Sequence, residues 1–315
     1  MIFYDKMNKV LNLIAVTSKM NGQELLFSFA IKFPRLFSDS RFLKICYKYY
    51  QGEDLNLDNP RKFTEKLQWL KLYDHNPEYT RMADKYEVKQ YVGEKIGKEY
   101  VIPLYGVWNE FNEIDFEKLP DQFILKCTHD SGGFVICEDK KTFDREAAKR
   151  KIEETLHKNY FWQNREWVYK NIKPRIIAEQ YMPSLGKADS VEYKLTVING
   201  EVKVITVCGG IPHSDFELRS NDNFNKDWTR QDWYAYYKPL GGAINKPEYM
   251  DLMVELSEKL AKGIPQVRVD WYIIDNKLYF GEMTFYTWSG FIKYSPEEWN
   301  LKMGEWLVLP SKKRL

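Results

Sequence analysis

The chain predicts an α+β protein built from more than one sheet. Three observations point there. Apolar residues recur at helical spacing before Val101, short apolar runs divided by turn residues take over after it, and one amphipathic stretch, Tyr249 to Lys262, lies among those later runs. With 315 residues, 44% of them hydrophobic, the chain has the length for about two packed units and the material for their cores.

The elements follow in order. Val10, Leu11 and Ile14, then Leu25, Leu26, Phe29 and Phe33, are spaced for helix until Pro34 interrupts them, so a helical N-terminal region is expected over residues 1–80. Asn59-Pro60 marks a turn, after which Thr64 is placed to cap a helix through Leu67, Leu70 and Leu72. A further helix starts near Asp84 and carries Val88, Tyr91, Val92 and Ile96. Gln122 to Cys127, Phe134 to Cys137, Arg175 to Ala178, Lys194 to Ile198 and Lys203 to Cys208 read as strands. Asp144 to Lys158 has helical composition, with Thr142 or Asp144 as its cap.

Charge and cysteines narrow the classes. Lys plus Arg number 47 and Asp plus Glu 45, a net +2 that gives no global attraction to nucleic acid. The longest apolar runs, such as Val204 to Cys208, fall far short of the roughly 20 residues of a membrane helix, so no transmembrane span is expected. The opening Met1-Ile2-Phe3-Tyr4-Asp5-Lys6 lacks the pattern of a secretion signal, and a cytoplasmic location is expected. Cys46, Cys127, Cys137 and Cys208 form no metal-ligand spacing and read as reduced thiols. Lys9, Lys19, Lys32, Arg35, Arg41, Lys44 and Lys48 suit a solvated helix face, or else peripheral association with a membrane.

The strongest chemical signal is Val267 to Ile274, a turn at Asp275-Asn276-Lys277, and Leu278 to Thr284, which together read as a β-hairpin. A three-residue loop pairs Ile274 with Leu278 and sets Asp270 opposite Glu282 and Arg268 opposite Thr284 on one face. A two-residue loop puts Asp270 and Glu282 on opposite faces. Val267, Val269, Trp271 and Ile273 are left for the core. Facing carboxylates repel unless a cation lies between them. Either they hold Mg²⁺ beside a phosphate, or Arg268 bridges them in an ordinary ion-pair network.

The second signal is Phe123-Ile124-Leu125-Lys126 opening into Cys127-Thr128-His129-Asp130-Ser131-Gly132-Gly133. A lysine at a strand end before a Ser/Gly-rich loop can present an ammonium and several N–H groups to a polyphosphate, and it also suits a plain hairpin turn. Third, Arg175 to Gln180 reads as a strand stopping at a turn through Tyr181-Met182-Pro183, followed by Val191-Glu192-Tyr193-Lys194. His75, His157 and His213 read as structural or solvated, leaving His129 as the one histidine inside a suspected site. No Asp-x-Asp, Gly-x-Ser-x-Gly or Gly-x-Gly-x-x-Gly occurs.

Taken in order, these segments resemble the TupA-like ATP-grasp family of teichuronopeptide and capsular-polysaccharide biosynthesis. The likeness begins at Asn59-Pro60-Arg61-Lys62-Phe63-Thr64-Glu65-Lys66-Leu67-Gln68-Trp69 and runs through Asp84-Lys85, Ile102 to Trp108 and Leu119 to Phe123. Lys126 to Gly133, Ile177 to Tyr181, Tyr193-Lys194, Val267 to Tyr272 and Phe280 to Gly290 complete it. The resemblance implies an ATP-grasp fold in which two α+β subdomains, residues 81–175 and 176–315, clamp ATP. It places Lys85 and Lys126 near the phosphates, Ser131, Gly132 and Gly133 in a loop above them, and Glu179, Gln180, Tyr181 and Met182 along the adenine. Glu192 then stands by the ribose, Lys194 and Arg268 face the transferred phosphoryl group, and Asp270 and Glu282 hold Mg²⁺. Three departures stand out: Thr284 occupies a position where other ATP-grasp enzymes commonly show Asn, Thr287 replaces the usual Pro after Phe285-Tyr286, and Glu192 stands where the family usually shows the shorter Asp ahead of Tyr-Lys.

The activity so implied is ATP-dependent carboxylate–amine ligation through an acyl phosphate, releasing ADP and phosphate. Its partners are an amine or amino acid and a uronic acid, sugar or glycan acceptor. A glycosyltransferase of polysaccharide synthesis is the rival class, since aromatic residues make up 16% of the chain and suit sugar stacking. A non-catalytic ATP-binding scaffold of a capsule-assembly complex is the third.

Overall fold

The computed structural model describes residues 21–182, 191–210, 219–239 and 241–312. Val10, Leu11, Ile14, Lys9, Lys19, Pro183 and His213 lie outside them. Helices come first. α1 (Gly22–Lys32) opens on a reciprocal cap, with Asn21 accepting the Gln23 and Glu24 N–H groups and Glu24 accepting that of Asn21. It stops before Pro34 as its sequence requires, but Leu25, Leu26, Phe29 and Phe33 remain 40% to 48% exposed and only Ala30 is buried. α2 (Asp39–Gln51) is capped by Ser38 and closed by left-handed Gly52 at φ +81°.

α3 (Phe63–Tyr73) carries the Phe63-Thr64-Glu65 stretch, and Thr64 sits inside the helix instead of capping it. Glu65 takes that part, accepting the Arg61 and Lys62 N–H groups at 2.8 and 2.9 Å. Thr64 is fully buried and bonds the Tyr47 hydroxyl and the Asn300 side chain. After α4 (Pro77–Ala83), α5 (Glu87–Lys95) starts where Asp84 accepts the Tyr86 and Glu87 N–H groups and an Arg175 guanidinium holds its other oxygen.

The first sheet is antiparallel, in the order β1 (Leu104–Trp108), β4 (Ile176–Gln180), β2 (Phe123–Cys127), β3 (Phe134–Cys137). The expected boundary at residue 176 assigns β4 to the second subdomain, whereas its pairing puts it in the middle of the first sheet. α6 (Arg145–Leu156), capped by Asp144, covers one face, where Phe123, Leu125, Cys127, Ile176 and Ala178 meet Ala148 and Ile152. A short α7 (Phe161–Asn164) leads back toward β4.

The second sheet is also antiparallel, in the order β10 (Lys277–Thr284), β9 (Gln266–Ile274), β5 (Glu192–Ile198), β6 (Glu201–Gly210), β7 (Arg219–Phe224). β8 (Tyr234–Ala235) and β11 (Tyr294–Ser295) form a small ribbon beside it. α8 (Met250–Leu260) packs on the face that carries Leu195, Val197, Val267, Val269 and Trp271, and the Trp271 indole donates to Ser257 at 2.8 Å. The chain ends in α9 (Glu298–Trp306), against which α3 is pinned through Thr64 and Asn300. The N-terminal helices and the second sheet thus share one core. Among the described residues no helix is long and apolar enough to cross a membrane.

Candidate active site

Strand parity sorts the first sheet's side chains. The odd residues of β2 are buried under α6, so Ile124 and Lys126 project from the other face, toward the second sheet. Across the pair, Ile124 lies opposite Glu179 and Lys126 opposite Ile177. The Glu179 carboxylate is held by two ammoniums, Lys126 at 2.6 Å and Lys89 of α5 at 2.8 Å. Burial raises its pKa, but the two lysines outweigh burial and draw it down to about 2.

These groups wall a cavity of about 120 Å³ between the sheets. Lys85, Lys89, Lys126, Glu179, Gln180 and Met182 line it from one side, and Tyr272, Phe280, Gly281, Glu282 and Met283 from the other. Of the residues singled out in the sequence, Lys85, Lys126, Glu179, Gln180, Met182 and Glu282 therefore meet in one place. Lys85 leads into α5, its backbone N–H on the Thr128 carbonyl and its ammonium on the Asp130 carbonyl, which ties α5 to the loop after β2.

That loop spans residues 128–133 and is closed by the Cys127 N–H on the Gly133 carbonyl. Ser131 and Gly132 are exposed, and Gly132 is left-handed at φ +101°. Gly133 is buried where a Cβ would collide with Thr155. His129 points into the core and bonds the Thr155 and Lys158 carbonyls, so it is a structural residue. Tyr181 turns outward and donates its hydroxyl to Glu138.

The hairpin resolves in an unexpected way. Its loop has two residues, Asp275 and Asn276, both left-handed, and Ile274 pairs with Lys277. That register alone separates Asp270 from Glu282. A β-bulge between Phe280 and Met283 inserts one residue opposite Asp270, so that Met283 pairs with Val269 and Thr284 with Arg268. Arg268 then reaches both carboxylates: Nε and Nη2 bind the Asp270 oxygens at 2.6 Å each, and Nη2 donates to Glu282 Oε1 at 2.9 Å.

Lys194, directly across from Asp270 on β5, binds Asp270 at 3.0 Å and Glu192 at 2.7 Å. The Tyr272 hydroxyl donates to Glu192 and the Thr284 hydroxyl to Glu282. Asp270 is completely buried, and burial pushes its pKa up against the pull of Arg268 and Lys194. Glu282 is half open to the cleft at 51% exposure, and although desolvation raises its pKa, Arg268, Lys194 and Lys85 bring it down to about 2.

Lys89 of the site was missed in the sequence, as was a buried polar cluster that holds the Thr287–Gly290 turn. Lys89 follows Lys85 by four residues, a helical interval that would have placed both on one side. Gln68 and Lys71, an i,i+3 pair on α3, donate to the Ser289 carbonyl at 3.1 and 2.7 Å. Lys71 is buried, which lowers its pKa to about 8 despite Glu166 nearby. Glu166 accepts the Ser289 hydroxyl.

The decisive comparison is with protein families: the model described as TupA-like ATPgrasp matches residues 65–308. The chain belongs to the TupA-like ATP-grasp family. It is also similar to solved structures: D-alanine–D-alanine ligase of Bacillus anthracis complexed with ATP (16% identity, 65% of this chain and 55% of that one, TM-score 0.39), and the Helicobacter pylori enzyme (14%, 72% and 61%, 0.40). A third is the ATP-grasp ligase PsnB complexed with its minimal precursor (12%, 70% and 59%, 0.39). The TupA-like chain thus spans 55% to 61% of the lengths of these ligases. No curated protein sequence matches it.

Proposed function

We propose that this TupA-like protein is an ATP-dependent carboxylate–amine ligase working through an acyl phosphate. It would join an amine or amino acid to a uronic acid or glycan carboxylate in cell-surface polysaccharide biosynthesis. The observation that carries the reading is the cleft itself, where Lys85, Lys89 and Lys126 face Glu282, and Glu282 leads through Arg268 to Asp270 and Lys194. Family membership supports ATP as the nucleotide.

In this reading Met82, Ile102, Met182 and Tyr272 take the flat base, with Gln180 beside it. Tyr181, its side chain bonded to Glu138, would contribute only its backbone. Glu192, oriented by Tyr272 and Lys194, stands where a ribose hydroxyl would reach it. Lys126 and Lys85 hold phosphate oxygens, with the N–H groups of Ser131, Gly132 and Gly133 closing over them.

Asp270 and Glu282, with the Thr284 hydroxyl, are hard oxygen donors of the kind Mg²⁺ takes together with substrate phosphates, and Glu282 is open to the cleft. Arg268 bridges the two carboxylates here and would yield oxygens to the metal, which would neutralise phosphate charge when bound. Arg268 fixes the orientation of both carboxylates and Lys194 that of Asp270, and the two offer positive charge to the phosphoryl group in flight. The acceptor carboxylate oxygen bonds to the γ-phosphorus as ADP leaves. The amine nitrogen then bonds to the acyl carbon, loses a proton, and phosphate departs.

The test is Mg²⁺-dependent release of ADP and phosphate with amino acids and uronic acids supplied together, products read by mass spectrometry and Asp270→Asn as control. ADP together with an amide-linked mass is the expected result. Absence of ATP binding would overturn the reading.

A further inference from the structure

Trp288, Ser289 and Gly290 form three successive left-handed residues, at φ +50°, +53° and +66°. A bulky residue in that region is strained and persists only where its surroundings over-determine it. Here Gln68 and Lys71 grip the Ser289 and Gly290 carbonyls from below. The strained turn does not bury the indole: Trp288 remains 44% exposed, with its ring 4.5 Å from that of Tyr236. Tyr236 comes from a separate segment, is itself left-handed at φ +61°, and is 42% exposed. Two large aromatics are thus held in unfavourable backbone conformations, face solvent and lean on each other.

Chain order and strand register relate them to the face that carries Asp270. Trp288 follows Thr284, the residue opposite Arg268, by four positions. Behind the pair, Tyr237 lies 6.0 Å from the Trp288 ring and accepts a hydrogen bond from Arg219 at 3.2 Å. Register carries Arg219 onto the face of Asp270, because Gly210 pairs with Arg219, Cys208 with Glu192 and Lys194 with Asp270. β7 is three strands from β9, about 14 Å at ordinary strand spacing. That is longer than one pyranose ring.

We propose that Trp288 and Tyr236 form a stacking platform for a sugar ring of an acidic oligosaccharide, with Arg219 taking an anionic group of the same glycan, so that the acceptor is a chain of sugars and not a free monosaccharide. This rests on the ligase reading and names the acceptor class for that site. Apolar C–H faces of a pyranose lie on the rings, and the acidic substituent pairs with the guanidinium.

The experiment is calorimetric titration of the full-length protein, with Mg-ATP present, by trigalacturonate, galacturonate and maltotriose. The wild-type protein is expected to bind trigalacturonate at least tenfold tighter than either comparator. Trp288→Gly removes the ring and relieves the left-handed strain, so its melting temperature should hold or rise while trigalacturonate affinity falls tenfold or more. Arg219→Gln should erase the preference over maltotriose. ATP affinity, read separately, should be unchanged in both variants. Wild-type protein that does not distinguish trigalacturonate from galacturonate, or Trp288→Gly that binds it within twofold of wild type, overturns the platform and leaves the ligase reading intact. Failure of ATP binding in the wild type strikes the ligase reading and the acceptor role with it, and the glycan platform is then tested by the same titrations without nucleotide.

Discussion

Two ion clusters face each other across the cleft, and their charge balances are opposite. On the first sheet, Lys89 and Lys126 share the single carboxylate of Glu179, two cations to one anion. On the second, Arg268 and Lys194 serve Glu192, Asp270 and Glu282, two cations to three anions. The surplus positive charge suits phosphate oxygens, and the surplus negative charge suits a divalent cation. Neither cluster is explained by stability alone, because buried ion pairs gain little over well-packed apolar side chains. In the ligase reading, the difference between them assigns the phosphates to the first sheet and the metal to the second.

The largest effect is expected where the negative cluster loses its centre. Asp270→Asn should lower turnover by at least about a thousandfold. Mn²⁺ substituted for Mg²⁺, followed by electron paramagnetic resonance, should show its coordination in the nucleotide complex altered. Normal activity in this variant would erase the distinction between the clusters. Lys126→Met should act on the opposite property, weakening ATP binding roughly 10- to 100-fold, the worth of hydrogen bonds to a charged group, with metal coordination retained. Nucleotide titration separates the two. If both variants lose metal and nucleotide alike, the clusters form one site without division of labour.

Acid sharpens the contrast. Glu179 falls from an ordinary 4.5 to about 2 on folding. A carboxyl depressed to that extent contributes about 3 kcal/mol at any pH above 4.5, and the contribution drains away as pH drops from 4.5 toward 2. Glu179→Gln should therefore be destabilised against wild type at pH 7 and much closer to it at pH 3, as measured by urea unfolding at both. A pH-independent gap would mean that the lysines do not hold Glu179 ionised.

Much of this was legible in the sequence, in a graded way. The strand–loop lysine, a cap at Thr142 or Asp144 and the α8 helix follow from local residue patterns, and the structure agrees at each, with Asp144 the cap. Order of motifs also carried the family, which no single fragment did. Thr64 misled because Ser and Thr before an apolar run normally cap, and only the fold brings Asn300 within reach of it from far along the chain. The apolar spacing of Leu25, Leu26, Phe29 and Phe33 gives a helix correctly but says nothing of what that helix packs against. The bulge was barely legible for a related reason: it is a mismatch between two strands and belongs to neither.

Gly281 was the one local sign of it, since glycine inside a strand often marks a bulge or a close approach. Here the approach is real. A Cβ on Gly281 would stand 2.8 Å from the Tyr272 ring and 3.1 Å from the Asp270 carbonyl. Gly281→Ala must displace the ring, whose hydroxyl steadies Glu192, or flatten the bulge, which swings Glu282 from Arg268. A roughly tenfold fall in kcat/KM is expected, with a stability loss of about 1–3 kcal/mol from overpacking. Gly200→Ala supplies the contrast. It lies at φ +86° in the β5–β6 turn, with open space where its Cβ would go. It should lose about 1 kcal/mol, the backbone cost alone, and keep full activity. If Gly281→Ala behaves like Gly200→Ala, then Arg268 finds Glu282 without help from the bulge, and the negative cluster is set by side-chain attraction across a tolerant register.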